Sequence, residues 1–152
     1  MIKPPYTHRV AVNAYLLNFD NFLLLKRSHE PIIWCPPGGK ILKDEDPVQG
    51  LRREVIEETG LEIQVFQPVT TWFGYFNKLP LLSIDYLCTC TSDLVILSHE
   101  HSDYRWLSFD NLRKHKKTYF TSELGFKLAD YELAWQIYVM NNNNEISATT
   151  QQ

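Results

Sequence analysis

The chain has 152 residues, of which 44% are hydrophobic and 22% charged, a composition typical of a globular protein with a single packed core. Its net charge of -3 and its pI near 5.9 argue against duplex nucleic acid as the main partner, because such binding needs many phosphate-neutralising Lys and Arg side chains. No apolar run approaches the roughly 18 residues that span a bilayer, and the N-terminus lacks the apolar core of a signal peptide. We therefore expect a cytoplasmic protein, monomeric or homodimeric, that has no membrane partner and binds small charged ligands.

The first elements in the chain are two apolar runs, Arg9 to Leu17 and Phe22 to Arg27, joined by a short turn at residues 18–21. Both runs are apolar on both of their alternating faces. This pattern predicts paired strands that are covered on both sides of a sheet.

A helix is predicted from Pro47 to Thr59. Asp46 precedes it as an N-cap, Pro47 occupies the first helical position, and Gly60 follows as a stop signal. Each of these residue types favours its position for a backbone reason, so the bounds are well defined by the sequence.

Two β-rich runs follow, Ile63 to Phe76 and Leu81 to Thr91, separated by a hairpin turn at residues 77–80. In the second run, alternate residues place Ile84, Tyr86, Cys88 and Cys90 on one face. A shorter strand is predicted from Asp103 to Leu107, followed by a brief helix from Ser108 to His115 that is capped by Ser108. Helices and strands mixed in this way predict an α/β or α+β domain with helices on both faces of the sheet.

The last predicted helix runs from Ser122 to Met140. Its apolar and aromatic residues recur at helical spacing and are expected to face the core; they are Leu124, Leu128, Tyr131, Trp135 and Tyr138. Residues 141–152 are polar and lack periodicity, which predicts a disordered tail after a single domain at residues 1–140.

The three cysteines, Cys35, Cys88 and Cys90, are odd in number and match no metal-binding or redox spacing. Buried thiols in a reducing compartment are the simplest interpretation. No disulfide framework is expected.

An unusual feature of the predicted helix is its acidic face. Glu54, Glu57 and Glu58 fall within about a third of the helix circumference. Like charges at these spacings cost a few tenths of a kcal/mol each, and anions in the last turn also oppose the helix dipole. A solvated surface face is one explanation; a bound divalent cation, which takes carboxylate oxygens, is the other.

The flanking residues distinguish these explanations. The pattern consists of Gly39, five residues, Glu45, seven residues, Arg53-Glu54-Val55, one residue, Glu57-Glu58, one residue, and Gly60-Leu61. It resembles the signature box of the Nudix hydrolases at every specified position. The resemblance covers 23 residues and implies an α/β/α sandwich with a mixed sheet between helices, in which the box forms a loop, a helix and a second loop.

The resemblance also implies a chemistry and a set of residue roles. Family enzymes hydrolyse a nucleoside diphosphate linked to another moiety, with Mg²⁺ or Mn²⁺ as cofactor. The implied metal ligands are Gly38, through its carbonyl, with Glu54, Glu57 and Glu58. The implied catalytic set is Glu57, Glu100, Arg53 and Glu45, in which Arg53 and Glu45 orient the ligands and Glu100 is the candidate for a base or further ligand from outside the box.

Candidate substrate contacts are Arg27, Gly39, Lys40 and Phe73. Strand alternation allows only one of Trp72 and Phe73 to face the cleft, and the sequence does not decide between them. His99 and His101 flank Glu100 but are interpreted as loop histidines, because magnesium prefers oxygen ligands.

For the substrate, two family markers beyond the box are missing. Phe76 stands where a proline is typical of ADP-ribose enzymes, and no tyrosine follows at the positions typical of dinucleoside polyphosphate enzymes. The segment Glu100 to Leu107 looks more like the nucleoside-triphosphate pyrophosphohydrolases. The working hypothesis is therefore hydrolysis of a (d)NTP to (d)NMP and pyrophosphate; the alternatives are dinucleoside polyphosphates, ADP-ribose or nucleotide sugars, and a module that binds a nucleotide without hydrolysing it.

Overall fold

The computed structural model describes residues 6–123 and 125–150, and the side chains of residues 146–150 are not considered. Its strands are β1 (Arg9–Asn18), β2 (Asn21–Arg27), β3 (Trp34–Cys35), β4 (Gly38–Lys40), β5 (Gln64–Phe76), β6 (Leu79–Thr89) and β7 (His101–Ser108). Its helices are α1 (Pro47–Thr59), α2 (Phe109–Lys114), α3 (Lys116–Tyr119) and α4 (Leu128–Thr150).

The strands of the described residues form one mixed sheet. The main path is β3-β2-β1-β6-β5, while β4 pairs with β1 and β7 pairs with β2. Strands β1 and β6 are parallel, and the other pairs are antiparallel. The long β1 therefore has β2 and β4 at one edge and β6 at the other.

Helices cover the sheet on both faces, and the alternation of β1 shows why. Val12 and Ala14 belong to the core beneath α1, which also contains Leu51 and Val55. Tyr15 belongs to the opposite core. The predicted α/β/α sandwich with a mixed sheet is confirmed, because a strand that is apolar on both faces needs a helical layer on each side.

Helix α1 has the predicted bounds. The Asp46 side chain accepts hydrogen bonds from the backbone N–H groups of Val48 and Gln49, both at 3.1 Å. Gly60 adopts a left-handed conformation with φ of 74°, which an L residue with a side chain rarely adopts. The capping residues thus set both ends of the helix.

The structure differs from the prediction at several bounds. The short strands β3 and β4, which were not predicted, hold only two and three residues, so they have no periodicity of their own and form by pairing with β2 and β1. Helix α4 begins at Leu128 rather than Ser122, and the Gly125 N–H donates to the Ser122 carbonyl at 3.1 Å ahead of it.

The C-terminal residues also differ from expectation. Helix α4 continues to Thr150 through the polar segment that was predicted to be disordered, and residues 151–152 lie outside the described part. Leu128, Tyr131, Trp135 and Tyr138 pack in or against the core as predicted, whereas Leu124 lies outside the described residues. No helix in the described part of the chain is long and apolar enough to cross a membrane.

Candidate active site

A cavity of about 620 Å³ opens on the α4 side of the sheet. Its floor consists of two rows of residues that are neighbours across four strands. The first row is Gly38, Asn13, Asp85 and Thr70, and the second is Lys40, Ala11, Ser83 and Trp72. Adjacent strands lie about 4.8 Å apart, so each row extends about 14 Å from β4 to β5.

The β4 end of the cavity is acidic. We call Glu54, Glu58 and Glu100 the acidic cluster; all three line the cavity. A Cβ at Gly39 would lie only 2.6 Å from the Glu54 carboxylate, so a side chain here would displace this carboxylate from its place. The Gly38 N–H donates to Glu58 Oε2 at 3.0 Å. Gly38 and Gly39 therefore bring the backbone of β4 against the acidic face of α1.

Burial dominates the electrostatics of this cluster. Glu58 is 3% exposed, and desolvation raises its pKa to about 8, with further contributions from Glu54 and Glu100. Desolvation also raises the pKa of Glu54, although the Arg53 guanidinium opposes the shift. Carboxylates that repel one another in a desolvated place favour a proton or a cation, and a divalent cation satisfies several of them at once.

Arg53 organises the outer side of the cluster. Its guanidinium forms two bonds to Glu45, at 2.8 and 2.9 Å, one to Glu54 at 3.1 Å and one to Glu57 at 3.2 Å. The bond from Arg53 is the largest cause that lowers the pKa of Glu45 to about 2. The contacts expected of an orienting residue are present, while the catalytic roles of Arg53 and Glu45 stay predictions.

Glu57 differs from the other box glutamates. Its side chain is 58% exposed, it binds Arg53, and it is absent from the lining of the cavity. Its role as a metal ligand, and that of the Gly38 carbonyl, stay predictions.

His101, which the sequence led us to interpret as a loop histidine, lies with the acidic cluster instead. One donor atom each of Glu58, Glu100 and His101 lie within 4.8 Å of one another. His101 is 8% exposed, its Nε2 lies 3.9 Å from Cys35 Sγ, and its Nδ1 is buried without a partner among the described residues. Two carboxylates together with a buried, unsatisfied imidazole nitrogen form a donor set that fits a divalent cation.

A second polar group, which we call the Asp85 cluster, lies in the middle of the cavity floor. Asp85 is 2% exposed, and its Oδ1 accepts hydrogen bonds from Asn13 Nδ2 at 2.8 Å and from Ser83 Oγ at 3.1 Å. The Tyr15 hydroxyl donates to Oδ2 at 3.5 Å. Desolvation raises the pKa of Asp85 to about 6, although the bonds from Asn13 and Ser83 oppose the shift.

The predicted substrate contacts are only partly in the cavity. Arg27, Gly39 and Lys40 line it. Phe73 does not, because its ring packs on His8 and Tyr75, with centroids 5.6 and 5.8 Å away; its role as a substrate contact stays a prediction. Trp72 lines the cavity instead.

The position of Trp72 has a local reason. Its ring lies so close to Gly74 that a Cβ at this glycine would collide with it. Two register shifts in β5, before residues 67 and 70, also reset the alternation of the strand. The side of the sheet on which Trp72 and Phe73 lie therefore cannot be counted from the beginning of the strand.

A family model for the NUDIX domain matches residues 7–125. The chain belongs to the NUDIX family. The box from Gly39 to Leu61 lies within the matched range, so the predicted family and its enzyme class, a hydrolase of nucleoside diphosphate-linked substrates, are confirmed.

Two relatives of this Nudix hydrolase illustrate the similarity. A MutT-like protein of Streptomyces ambofaciens is 28% identical over 108 residues, which are 71% of this chain and 69% of that protein. The asymmetrical bis(5'-nucleosyl)-tetraphosphatase of Caenorhabditis elegans is 31% identical over 98 residues, which are 61% of this chain and 71% of that protein.

Solved structures share the fold. A UDP-X diphosphatase superposes with a TM-score of 0.73 at 20% identity, covering 91% of this chain and 66% of that one. An Ap4A hydrolase from C. elegans superposes with a TM-score of 0.69 at 23% identity, covering 89% and 98%. The Nudix chain thus spans about two thirds of the length of the UDP-X diphosphatase.

Sequence reasoning missed the Asp85 cluster in this Nudix hydrolase, although a signal was present. Asn13 and Asp85 each interrupt an apolar strand, in the runs RVAVNAYLL and LLSIDYLC. A single polar residue inside such a strand must find a partner. The two residues are 72 positions apart, so only the parallel register of β1 and β6 identifies each as the partner of the other.

Proposed function

We propose that the protein hydrolyses a nucleoside triphosphate, with release of the nucleoside monophosphate and pyrophosphate, in the presence of Mg²⁺ or Mn²⁺. The observation that carries this proposal is the single continuous cavity that joins the acidic cluster to Trp72. Its floor of about 14 Å matches a nucleotide whose phosphates lie at β4 and whose base lies near β5.

The residues at the β4 end suit the phosphate chemistry. A bound divalent cation neutralises phosphate charge and makes water a better nucleophile. Glu54 and Glu58 would hold this cation, with Glu57 as a further ligand and Arg53 as the residue that keeps their carboxylates oriented. Glu100, which lies beside Glu58, is the proposed acid from outside the box, either as the base that accepts a proton from the attacking water or as a further ligand of the cation.

The cations near this end are suited to positioning the phosphates. Arg27 bonds to the carbonyl of Pro31 at 3.1 Å, which fixes its guanidinium at the edge of the cavity. The Lys40 ammonium lies 5.2 Å from the centroid of the Phe76 ring. Both residues line the same cavity as the acidic cluster, where phosphate oxygens need positive partners.

A specific observation favours a second candidate. Asymmetrical bis(5'-nucleosyl)-tetraphosphatases from several animals are among the relatives, so a dinucleoside polyphosphate is the alternative substrate. Trp72, Tyr75 and Phe76 all line the cavity at its β5 end, so aromatic surface is present for either substrate. We rank the dinucleoside polyphosphate second because the marker tyrosine beyond the box is missing.

One experiment separates these possibilities. The purified protein is incubated with Mg²⁺ and with NTPs, dNTPs, 8-oxo-dGTP, diadenosine tetraphosphate, ADP-ribose and nucleotide sugars, and the products are identified by chromatography. Pyrophosphate and a nucleoside monophosphate from a triphosphate support the proposal. Release of orthophosphate alone contradicts it, preferential cleavage of diadenosine tetraphosphate favours the second candidate, and tight binding without turnover indicates a nucleotide sensor.

A further inference from the structure

His101 occupies its buried place because of a β-bulge. In the pairing of β2 with β7, Lys26 is opposite Asp103, whereas Arg27 is opposite His101, so Ser102 is an extra residue. Tyr104 and Trp106 pack on the α1 side of the sheet. Uninterrupted alternation would turn His101 to the other side, and the bulge instead directs it towards Glu58 of α1.

The buried imidazole has no adequate partner within the described residues. Its Nδ1 has none, and its Nε2 lies 3.9 Å from the Cys35 sulfur, a weak partner at best. A buried polar nitrogen without a partner carries a desolvation penalty, and native structures retain such an atom where a ligand or a function compensates for it.

The three donor atoms are close to the spacing that a single metal ion requires. The donor atoms of Glu58, Glu100 and His101 lie within 4.8 Å of one another. Nitrogen and oxygen ligands lie about 2.1 Å from a divalent transition metal, so two ligands of one ion are at most about 4.2 Å apart. Small side-chain rotations that move the donor atoms by a fraction of an ångström would bring all three to one ion.

We propose that His101 is a nitrogen ligand that completes, with Glu58 and Glu100, a mixed carboxylate and imidazole site selective for a divalent transition-metal ion over Mg²⁺. An imidazole binds Co²⁺ or Zn²⁺ well and Mg²⁺ poorly, because Mg²⁺ is a hard ion that takes oxygen ligands. The inference rests on the proposed function only in locating this ion beside the substrate phosphates.

The test measures metal binding without substrate. The full chain is stripped with a chelator, and its affinities for Co²⁺ and for Mg²⁺ are measured by titration. We expect His101→Gln to weaken Co²⁺ binding by at least about ten-fold and to change Mg²⁺ binding by less than about two-fold. The control is His99→Gln, which removes an exposed histidine just before β7 and should leave both affinities unchanged.

A spectroscopic measurement identifies the ligand directly. Pulsed EPR of Mn²⁺ bound to the wild type should show coupling to one histidine nitrogen, retained in His99→Gln and shifted when the protein is labelled with ¹⁵N-histidine. Loss of this coupling in His101→Gln, or in His101→Asn if the first variant does not fold, supports the proposal.

Several results would overturn the inference. Wild-type Mn²⁺ without nitrogen coupling excludes His101 as a ligand, and so does an unchanged Co²⁺ affinity in a folded His101 variant. Lost turnover with unchanged metal affinity would make His101 a residue that positions or transfers a proton instead. Nitrogen coupling without hydrolysis of any nucleotide would preserve the metal site and refute the proposed function, so the two failures are distinguishable.

Discussion

Glu58 and Asp85 are two buried carboxylates of one cavity, and they differ in their partners. Asp85 accepts hydrogen bonds from an amide and two hydroxyl groups. Glu58 accepts one backbone N–H and otherwise faces the carboxylates of Glu54 and Glu100. Burial raises both pKa values, to about 6 for Asp85 and about 8 for Glu58.

This difference separates a structural carboxylate from a cation-binding one. Neutral donors already satisfy the oxygens of Asp85, and their hydrogen bonds offset part of the cost of burying its charge. The charge of Glu58 is opposed by the neighbouring carboxylates, and the single bond from the Gly38 N–H only partly offsets this, so a bound cation would stabilise it further. The number of hydrogen-bond donors, rather than burial, therefore distinguishes the two sites.

The largest expected effect is the loss of turnover in Glu58→Gln and Glu54→Gln. Each substitution removes a negative oxygen that holds the cation, and we expect a decrease in kcat of about 10³-fold, which corresponds to several kcal/mol of transition-state stabilisation. Steady-state kinetics with Mg²⁺ measure this loss, and circular dichroism checks the fold.

The matched control is Glu62→Gln, an exposed carboxylate just beyond α1, which should retain normal kinetics. Asp85→Asn should keep the increase in Tm that Mg²⁺ causes in the wild type, whereas Glu58→Gln should lose it. If the increase in Tm caused by Mg²⁺ disappeared in Asp85→Asn and survived in Glu58→Gln, Asp85 rather than Glu58 would be the cation-binding carboxylate.

The next effect concerns pH. The pKa of Asp85 is higher in the folded protein than its ordinary value of 3.8, so the folded state binds the proton more tightly than the unfolded one. Its contribution to stability is present below about pH 4 and is lost as the pH rises through 6. The free energy of unfolding should fall by on the order of 2 to 3 kcal/mol over this window.

Urea titrations at several pH values measure how the free energy of unfolding depends on pH. They should be made in the Glu58→Gln background, so that the titration of Glu58 does not contribute, and Asp85→Asn should remove this dependence. A pH dependence that is identical with and without Asp85 would contradict the prediction.

Arg53→Ala should have a smaller effect, confined to the acidic cluster. The substitution removes the bonds that orient Glu45, Glu54 and Glu57, and we expect a 10- to 100-fold loss of kcat, as for other residues that position metal ligands. Arg53→Lys should recover little, because a single ammonium cannot form the paired bonds to Glu45. The pH dependence of the free energy of unfolding that is due to Asp85 should stay unchanged. A large change in it would argue against independence of the acidic cluster and the Asp85 cluster.

The smallest expected effect is on substrate affinity at the β5 end. Trp72→Ala should raise KM about ten-fold with little change in kcat, since stacking of a base on an aromatic ring contributes roughly 1 to 3 kcal/mol. Phe73→Ala, the matched aromatic control outside the cavity, should leave KM within about two-fold. Equal effects of the two variants would remove Trp72 from the base-binding surface.

Local sequence was sufficient for the parts of the site that lie close together along the chain. The bounds of α1 follow from Asp46, Pro47 and Gly60, whose backbone preferences act within a few residues. The spacing from Gly39 to Leu61 likewise brings glycines and glutamates together, because one turn and one helix connect them. Cap geometry and helical periodicity depend on residues close together in the chain, so they could be predicted directly from the sequence.

Contacts between distant residues depended on the fold. Asn13 reaches Asp85 through the parallel register of β1 and β6, His101 reaches Glu58 through a bulge in β7, and the register shifts of β5 place Trp72 in the cavity. A shift of one residue in any of these strands would turn the side chain to the opposite face. The sequence by itself determined the family, helix α1 and the acidic residues; tertiary pairing decided which buried polar groups share the cavity, because strand register is set by packing across the whole sheet.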